Sequence, residues 1–263
     1  MQDTSGRVLS FALRRIEIAK ANWRGTVGVV KPTYESGSLV EFIRLLPEGV
    51  GVIPVYAGIK QHTERGYLDA LDTYNERVAE LARIGVDLMH PEGGPPFMVR
   101  GYRSEQEIVQ QSEAKYKVPI FTSGMTQAEA LRALDIKRFV GCTYFRDNKL
   151  NDLFKSYFTD AGFEVLAMEG MDTSPGEASS LSTEEIYHHL KRSFLKHPSA
   201  QGIYLLGSGA WRVIDVIPVE EDLGVPVIHP VAARVWYVQK RLHVRQPVQG
   251  AGRLLVELPE LSE

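Results

Sequence analysis

Residues 138–170 read RFVGCTYFRDNKLNDLFKSYFTDAGFEVLAMEG, which is two short apolar runs on either side of a longer amphipathic stretch. The runs are rich in β-branched and aromatic residues, which favour strands. An amphipathic stretch between two such runs is typical of a helix that connects two parallel strands. We therefore predict a strand, a helix and a strand here, with the strands beginning at Arg138 and Phe163.

The same alternation continues towards both ends of the chain. Six further apolar runs are TVGVVKP from Thr26, GVGVIPVY from Gly49, VDLMHPE from Val86, VPIFTSG from Val118, GIYLLGSG from Gly202 and VPVIHP from Val225. The eight runs form two sets of four that superimpose with a nearly constant offset, so that Val27 corresponds to Phe139 and Val118 to Val225. An internal duplication would produce this spacing, although strands spaced in this way can also arise without one.

The pattern predicts an α/β protein with two similar parallel-sheet halves. We expect the first half to cover residues 1–125, joined by the C-terminal segment 230–263, and the second half to cover residues 126–229. The longest helix should run from about Gly66 to Ile84, and residues 173–180 should form an exposed loop or flap. Three helix starts carry a capping-box pattern, at Ser104, Thr126 and Ser182.

Composition limits the classes of partner. The 30 basic and 33 acidic residues leave a formal charge of −3, and no segment gathers the cations that a nucleic acid would require. No apolar run is long enough to span a membrane, and Arg14, Arg15 and Glu17 interrupt the place where a secretory signal would need its apolar core. A single cysteine, Cys142, excludes an internal disulfide and a cysteine-based zinc site. We expect a cytoplasmic protein that could form a homo-oligomer.

The segments that follow the strands indicate where a ligand would bind. In parallel sheets, ligands bind beyond the carboxyl ends of the strands, where helix N–H groups are unpaired. Here these segments read KPTYESGS, HPEGGPPF, TSGMTQ, CTYFRDN, GSGAWR and HPVAARVW. Glycines allow a close approach of the backbone and hydroxyls add donors, so the segments favour binding of a small carboxylate.

Four stretches of the sequence carry a family resemblance. They are VVKPTYE, CTYFRDNKLNDLFKSYFTDAGFEVLA, GVPVIHPVAARVWYVQKRL and GAGRLL, within a region from about Thr26 to Leu255. Here the chain resembles the aspartate/glutamate racemase superfamily, in the branch that contains maleate isomerase and arylmalonate decarboxylase. The resemblance implies two flavodoxin-like halves, each a four-stranded parallel sheet flanked by helices. The halves would be related by a pseudo-twofold axis, with the site between them and with no cofactor.

The resemblance also indicates which catalytic groups differ. Members of this family typically carry two catalytic cysteines, after the third and the seventh strand, and the decarboxylases use only the second. The corresponding positions here hold Glu92 and Ser208. An unassisted serine is too weak a base, whereas Glu92 could transfer a proton if its apolar neighbours Pro95, Pro96, Phe97 and Met98 raised its pKa. His90 and His229 are further candidates for proton transfer, with packed, chemically inert histidines as the alternative.

The remaining candidates are residues that would bind the substrate. The positions that match the family's carboxylate-binding loops are Thr33, Gly93, Gly94, Tyr144, Gly209 and Ala210. Glu35, in the first loop, would repel a dianion unless it points away. Trp211, with Phe97 and Phe145, could form an apolar pocket.

Three functions are compatible with these residues. The leading one is decarboxylation of a malonate-type acid, in which one carboxylate is held, the other is lost and one group donates a proton. The second is isomerisation or racemisation, as in maleate isomerase, with Glu92 and either Ser208 or His229 as the opposed groups. The third is a carboxylate-binding protein that has lost catalysis.

Overall fold

The computed structural model describes residues 22–35, 37–173 and 177–261. The N-terminal positions considered above and residues 174–176 of the expected flap lie outside the described residues. The strands are β1 (Gly25–Lys31), β2 (Val50–Tyr56), β3 (Leu88–Pro91), β4 (Arg138–Thr143), β5 (Glu164–Gly170), β6 (Ile203–Leu205) and β7 (Val227–Ile228). The helices are α1 (Gly37–Leu45), α2 (Glu64–Ile84), α3 (Gly94–Met98), α4 (Tyr102–Tyr116), α5 (Ser123–Ala133), α6 (Asn148–Asp160), α7 (Thr183–Lys196), α8 (Val213–Leu223), α9 (Pro230–Arg241) and α10 (Arg253–Glu257).

The strands form two parallel sheets of the same topology. The first has the order β2-β1-β3 and the second the order β5-β4-β6-β7. In the first sheet, Ile120 makes an isolated parallel bridge with Met89 of β3. This bridge is equivalent to the pairing of β7 with β6 in the second sheet. The predicted α/β fold of two similar halves is confirmed, and the shared strand order is consistent with a pseudo-twofold relationship.

Prolines explain where the strands differ from the prediction. The run from Val118 was expected to form a fourth strand of the first sheet, but it pairs only at Ile120. Pro119 in this run has no N–H to donate to a neighbouring strand, and the equivalent β7 spans only two residues beside Pro226. Pro54 is tolerated inside β2 because β2 is an edge strand.

Only one of the three predicted capping boxes forms. Ser182 and Glu185 cap the start of α7 reciprocally, as predicted. Ser104 lies inside α4, which begins at Tyr102, and Thr126 lies inside α5, whose N-cap is Thr122. The capping pattern is short and local, so a helix that begins a few residues earlier places the same residues in its first turns.

The long helix α2 is confirmed. It begins after Thr63, whose hydroxyl accepts a hydrogen bond from the N–H of Gly66, and it ends at Gly85. Gly85 has φ of 84°, in the left-handed region that glycine adopts at helix ends. Tyr67, Tyr74 and Leu81 form part of its buried face.

The helix that follows the last strand of each half holds the halves together. These helices, α5 and α9, pack against each other, and α9 also packs on α1 of the first half. Ten consecutive residues of α9, from Pro230 to Gln239, are buried. This contact brings side chains of α9 to the strand ends of the first half. No helix among the described residues is long and apolar enough to cross a membrane.

Candidate active site

A cavity of about 1400 Å³ lies between the halves, where the segments after the strands meet. Its lining includes the predicted residues Thr33, Glu35, Glu92, Gly93, Gly94, Tyr144, Ser208, Gly209, Ala210 and Trp211, but not the candidates His90, His229 and Phe97. The common position of these residues beyond the strand ends follows from the parallel topology, because the carboxyl ends of parallel strands share one edge of a sheet.

Glu92 lies between two buried cations. It follows β3 directly, and its Oε1 accepts a hydrogen bond from Lys31 Nζ at 2.8 Å. Its Oε2 lies 2.7 Å from Nη1 of Arg234. Lys31 is the last residue of β1, whereas Arg234 comes from α9 at the other end of the chain. All three side chains are at least 96% buried, so this is an ion cluster inside the protein.

The ion cluster corrects the expected acidity of Glu92. Burial by itself would raise the pKa of this carboxyl, but Arg234 and Lys31 together lower the pKa to about 2. The expectation that the apolar neighbours would raise it was wrong because opposite charges within hydrogen-bond distance outweigh desolvation. Glu92 is therefore ionised at neutral pH and is a weak base.

Two hydroxyls complete the hydrogen bonds of Glu92. Ser38, near the start of α1, donates to Oε1 over 3.0 Å and accepts from Lys31 Nζ over 2.5 Å. Ser208, which follows β6 in the second half, donates to the same oxygen over 3.4 Å. The backbone carbonyl of Glu92 accepts from the hydroxyl of Tyr74. The two halves of the chain therefore meet at this one carboxylate.

Arg234 has donors that no described residue uses. Its Nη1 is close to Glu92, but the contact is poorly aligned, and none of its three guanidinium nitrogens makes a hydrogen bond with the described part of the chain. The guanidinium stacks over Phe42, with 5.0 Å between its carbon and the ring centroid. Lys31 and Arg234 both contact the carboxylate of Glu92, so these three side chains together carry one positive charge in excess. A buried charge without a partner is costly, so this wall of the cavity favours an anion.

The two candidate histidines are packed away from the cavity. His229 is the N-cap of α9: its Nδ1 accepts from the N–H of Val231 at 3.1 Å, and its Nε2 lies 3.1 Å from the carbonyl of Trp211, to which it donates. Burial lowers its pKa to about 3. With both ring nitrogens occupied and no place in the cavity lining, His229 has no free position from which to transfer a proton to a ligand.

His90 lies within β3 and is fully buried. Its Nδ1 donates to the carbonyl of Phe121 at 2.8 Å, and its ring stacks on that of Phe121 with 4.6 Å between centroids. Burial and the nearby Arg234 lower its pKa to about 3, so it is neutral. His90 does not line the cavity, so it is not placed to exchange a proton with a ligand there.

Aromatic side chains of the second half form an apolar part of the lining. The rings of Tyr144 and Phe145 stack with 4.8 Å between centroids, and Trp211 lies 6.1 Å from Tyr144. The indole N–H of Trp211 donates to the carbonyl of Leu206, which fixes the ring. Phe97 was expected here but instead packs edge-on against Tyr74 and does not line the cavity.

Sequence reasoning missed Lys31 and Arg234. Lys31 stands at the end of a strand, in a segment that was considered only for its hydroxyls. A signal for Arg234 did exist, because it falls at the same helical face as Val231, Val235 and Val238. An arginine on an otherwise apolar, buried face requires a partner, and this anomaly marks it as a functional candidate.

The thiol of Cys142 lies outside the cavity. It is fully buried in β4, and this burial raises the pKa of the thiol to about 12. It therefore does not take the place of the family's catalytic cysteines. Within residues 22–35, 37–173 and 177–261, no three His, Cys, Asp or Glu side chains come together as a metal site.

Comparisons with known proteins agree with this architecture. A sequence model of the family described as arylmalonate decarboxylase matches residues 28–255. The arylmalonate decarboxylase of Bordetella bronchiseptica is 23% identical over 213 residues, which cover 80% of this chain and 88% of that protein.

Solved structures show that the fold is shared. The maleate isomerase Iso from Pseudomonas putida S16 superimposes with a TM-score of 0.82 at 19% identity, over 89% of this chain and 99% of that one. A double variant of arylmalonate decarboxylase in its liganded form has the same TM-score, identity and coverage.

Proposed function

The chain belongs to the arylmalonate decarboxylase family, and on that basis we propose that it is a cofactor-independent enzyme that decarboxylates a malonate-type acid. The observation that carries this proposal is the buried Arg234, which lines the cavity with unused donors and an excess positive charge. A guanidinium binds a carboxylate through two parallel hydrogen bonds, so Arg234 is suited to hold one carboxylate of such an acid.

The rest of the cavity fits the needs of decarboxylation. The carboxylate that leaves as CO₂ must lose its charge, which an apolar environment favours. Tyr144, Phe145 and Trp211 supply aromatic surface in the same cavity. The hydroxyl of Tyr144 and the backbone N–H groups near Gly209 can donate hydrogen bonds to the enediolate that forms when the bond breaks.

Isomerisation, as in the maleate isomerases, remains the alternative. A mechanism with an acid and a base places these groups on opposite faces of the reacting carbon, each about 3 Å from it. The Glu92 and Ser208 oxygens are in direct contact at 3.4 Å, which leaves no room for a carbon between them. His229 is outside the cavity lining. The geometry therefore favours a reaction that needs a single proton donor.

The experiment is to incubate the protein in deuterated water with phenylmalonate, alkylmalonates, maleate, aspartate and glutamate, followed by proton NMR. Decarboxylation yields a monoacid that carries deuterium at the α-carbon. Conversion of maleate, or exchange without loss of carbon dioxide, would instead establish isomerisation. Binding of malonate without any conversion would establish the third possibility, a carboxylate-binding protein.

The role of Arg234 has its own test. Arg234→Gln leaves the Lys31 and Glu92 pair balanced, so the fold should persist, and we expect malonate affinity to fall about 10- to 100-fold in calorimetry. The matched control is Arg192→Gln, at an exposed position of α7, which should bind malonate as the wild type does. Equal affinity of the two variants would contradict the proposal.

A further inference from the structure

An enzyme of this family without the catalytic thiol needs another group that gives a proton to the carbanion. That group must line the cavity and exist in its protonated form at neutral pH. The ionisable residues in the lining are Lys31, Tyr34, Glu35, Glu41, Arg44, His62, Tyr67, Glu92, Tyr144, Arg212 and Arg234. Arginines do not release a proton in proteins, and Glu92 is ionised.

The tyrosines and the histidine in the lining are poorer donors. Burial raises the pKa of Tyr67 and that of Tyr144, so both suit hydrogen bonding better than proton release. Burial lowers the pKa of His62, which is therefore neutral, and its Nδ1 lies 3.2 Å from the hydroxyl of Tyr67. Tyr34 and Glu35 are exposed to solvent, which leaves Lys31 and Glu41 as the candidate donors in the more enclosed part of the lining.

We propose that the ammonium group of Lys31 is the proton donor of this enzyme and takes the place of the missing thiol; this inference rests on the function proposed above. Lys31 is at the carboxyl end of β1, where the family places substrate-binding residues, and its side chain lines the cavity. Glu92 and Ser38 hold Nζ at 2.8 Å and 2.5 Å, so its position is fixed before a ligand binds.

The charges around Lys31 suit a group that must release a proton. Desolvation lowers the pKa of Lys31, Glu92 opposes this shift, and Arg234 adds to it. The charge of Glu35 also favours the ammonium form of Lys31. The ammonium is therefore stabilised by Glu92 before reaction, while Arg234 and burial make the neutral amine accessible afterwards.

The chemical step balances without a further reactant. The bond between the α-carbon and one carboxylate breaks, and CO₂ leaves. The electron pair of that bond stays on the α-carbon and is delocalised into the remaining carboxylate, which forms an enediolate bound at Arg234. A proton moves from Lys31 Nζ to the α-carbon, where a C–H bond forms. Lys31 is left as a neutral amine and regains a proton from water.

Glu41 is the competing donor. Burial raises the pKa of this carboxyl, and its Oε1 accepts a hydrogen bond from the N–H of Val213 at 2.7 Å. That contact places Glu41 at the start of α8, where it caps a helix. Lys31 instead contacts Glu92, the residue at the family's first cysteine position.

The test uses Lys31→Arg, which keeps the positive charge but cannot release a proton. With phenylmalonate as substrate, we expect malonate affinity to remain within several-fold while turnover falls at least about 100-fold. The matched control is Lys137→Arg, at a surface position with an 81% exposed side chain, which should retain wild-type turnover. Turnover by Lys31→Arg at the wild-type rate, or its loss in Glu41→Gln but not in Lys31→Arg, would overturn the proposal.

A second variant separates a chemical role from a structural one. Lys31→Ala removes the amine and leaves space, so added methylamine or ethylamine should restore part of the turnover, with a rate that depends on the pKa of the amine. A merely structural lysine would show no such dependence, and a folded variant without rescue by any amine would contradict the inference.

A borohydride control excludes a different use of the amine. Reduction in the presence of substrate should leave Lys31 unmodified in mass spectrometry, because proton donation forms no bond between nitrogen and carbon. A reduced adduct at Lys31 would overturn the role of proton donor. Wild-type protein that converts no acid would overturn both proposals, whereas turnover that survives both Lys31 variants would overturn this one alone.

Discussion

The hydroxyl of Ser208 lies 3.4 Å from a carboxylate oxygen of Glu92, although 116 positions separate the two residues in the chain. Each residue follows the third strand of its own half. If the two halves are equivalent and face each other, these two positions are expected to meet. The carboxylate in this contact also binds two cations, Lys31 and Arg234. The chemistry of the site therefore depends on the ion cluster of Lys31, Glu92 and Arg234.

Replacing Glu92 with glutamine should destabilise the protein. It should also increase the stabilisation that a bound anion provides. The variant leaves two buried cations without a counter-ion, which should lower the free energy of unfolding by about 3 kcal/mol. Malonate should raise the thermal midpoint more in Glu92→Gln than in the wild type, because it supplies the missing negative charge. The control is Glu221→Gln at an exposed site of α8. Unchanged stability with loss of turnover would instead make Glu92 the proton-transfer group.

Changes at Ser208 should separate hydrogen bonding from catalysis. Ser208→Ala removes a hydroxyl that lines the cavity and donates to Glu92. Because this hydroxyl can also donate to a bound ligand, malonate binding should weaken by about 1 kcal/mol. The family resemblance predicts that Ser208 stands where the decarboxylases have their cysteine, so Ser208→Cys should raise the rate of arylmalonate decarboxylation. Ser199→Cys, at an exposed position, provides the control in the same assay. A folded Ser208→Cys variant that binds malonate without any gain in rate would argue against the decarboxylase assignment.

The hydroxyl of Tyr144 should contribute directly to carboxylate binding. Tyr144→Phe keeps the ring that stacks on Phe145 and removes only a donor to a charged group, so affinity for malonate should fall by about 1 to 3 kcal/mol. Isothermal titration with Tyr187→Phe as the control measures this, since Tyr187 is on α7 and bonds to Asp222. Identical affinities would show that Tyr144 serves only as packing.

Cys142 should be unreactive and dispensable for turnover. Burial raises the pKa of its thiol to about 12, so almost no thiolate is present at neutral pH. We expect slow reaction with a thiol reagent in the folded protein, fast reaction in denaturant, and normal turnover in Cys142→Ala. Loss of turnover in a folded Cys142→Ala variant would reverse this assignment.

The pH dependence of the free energy of unfolding should show the titration of the Glu105 carboxyl. Burial raises the pKa of this carboxyl to about 7, and it accepts a hydrogen bond from Tyr157. Its contribution to stability is complete below the unfolded pKa of 4.5 and is lost as pH rises towards 7, because the unfolded state releases its proton first. The loss is of the order of 3 kcal/mol.

Glu105→Gln removes this titration while keeping a similar shape. The stability of the variant relative to wild type should therefore increase as pH rises from about 4.5 to about 7. Chemical unfolding of both proteins across this range measures the difference, in which the shared titration of His90 and His229 cancels. A constant difference would mean that Glu105 has an ordinary pKa in the folded protein.

The sequence by itself determined the α/β class, the position of the long helix and the residues that meet beyond the strand ends. These features depend on local periodicity and on parallel topology, which brings strand ends such as those before Glu92 and Ser208 to the same edge. Prolines could be seen in the sequence, but only the pairing of Ile120 showed that Pro119 reduces the first sheet to three strands and a bridge.

The tertiary structure alone decided the chemistry of the site. The pKa of Glu92 is set by Lys31, 61 positions away, and by Arg234 on the helix after the last strand, and it shifts in the direction opposite to that expected from its sequence neighbours. The sequence predicted His229 as a site residue. In the structure it caps a helix, because backbone groups bind both of its ring nitrogens. Periodicity acts over a few residues, whereas electrostatic interactions act through space, so the charge of a buried group depends on contacts that no local pattern contains.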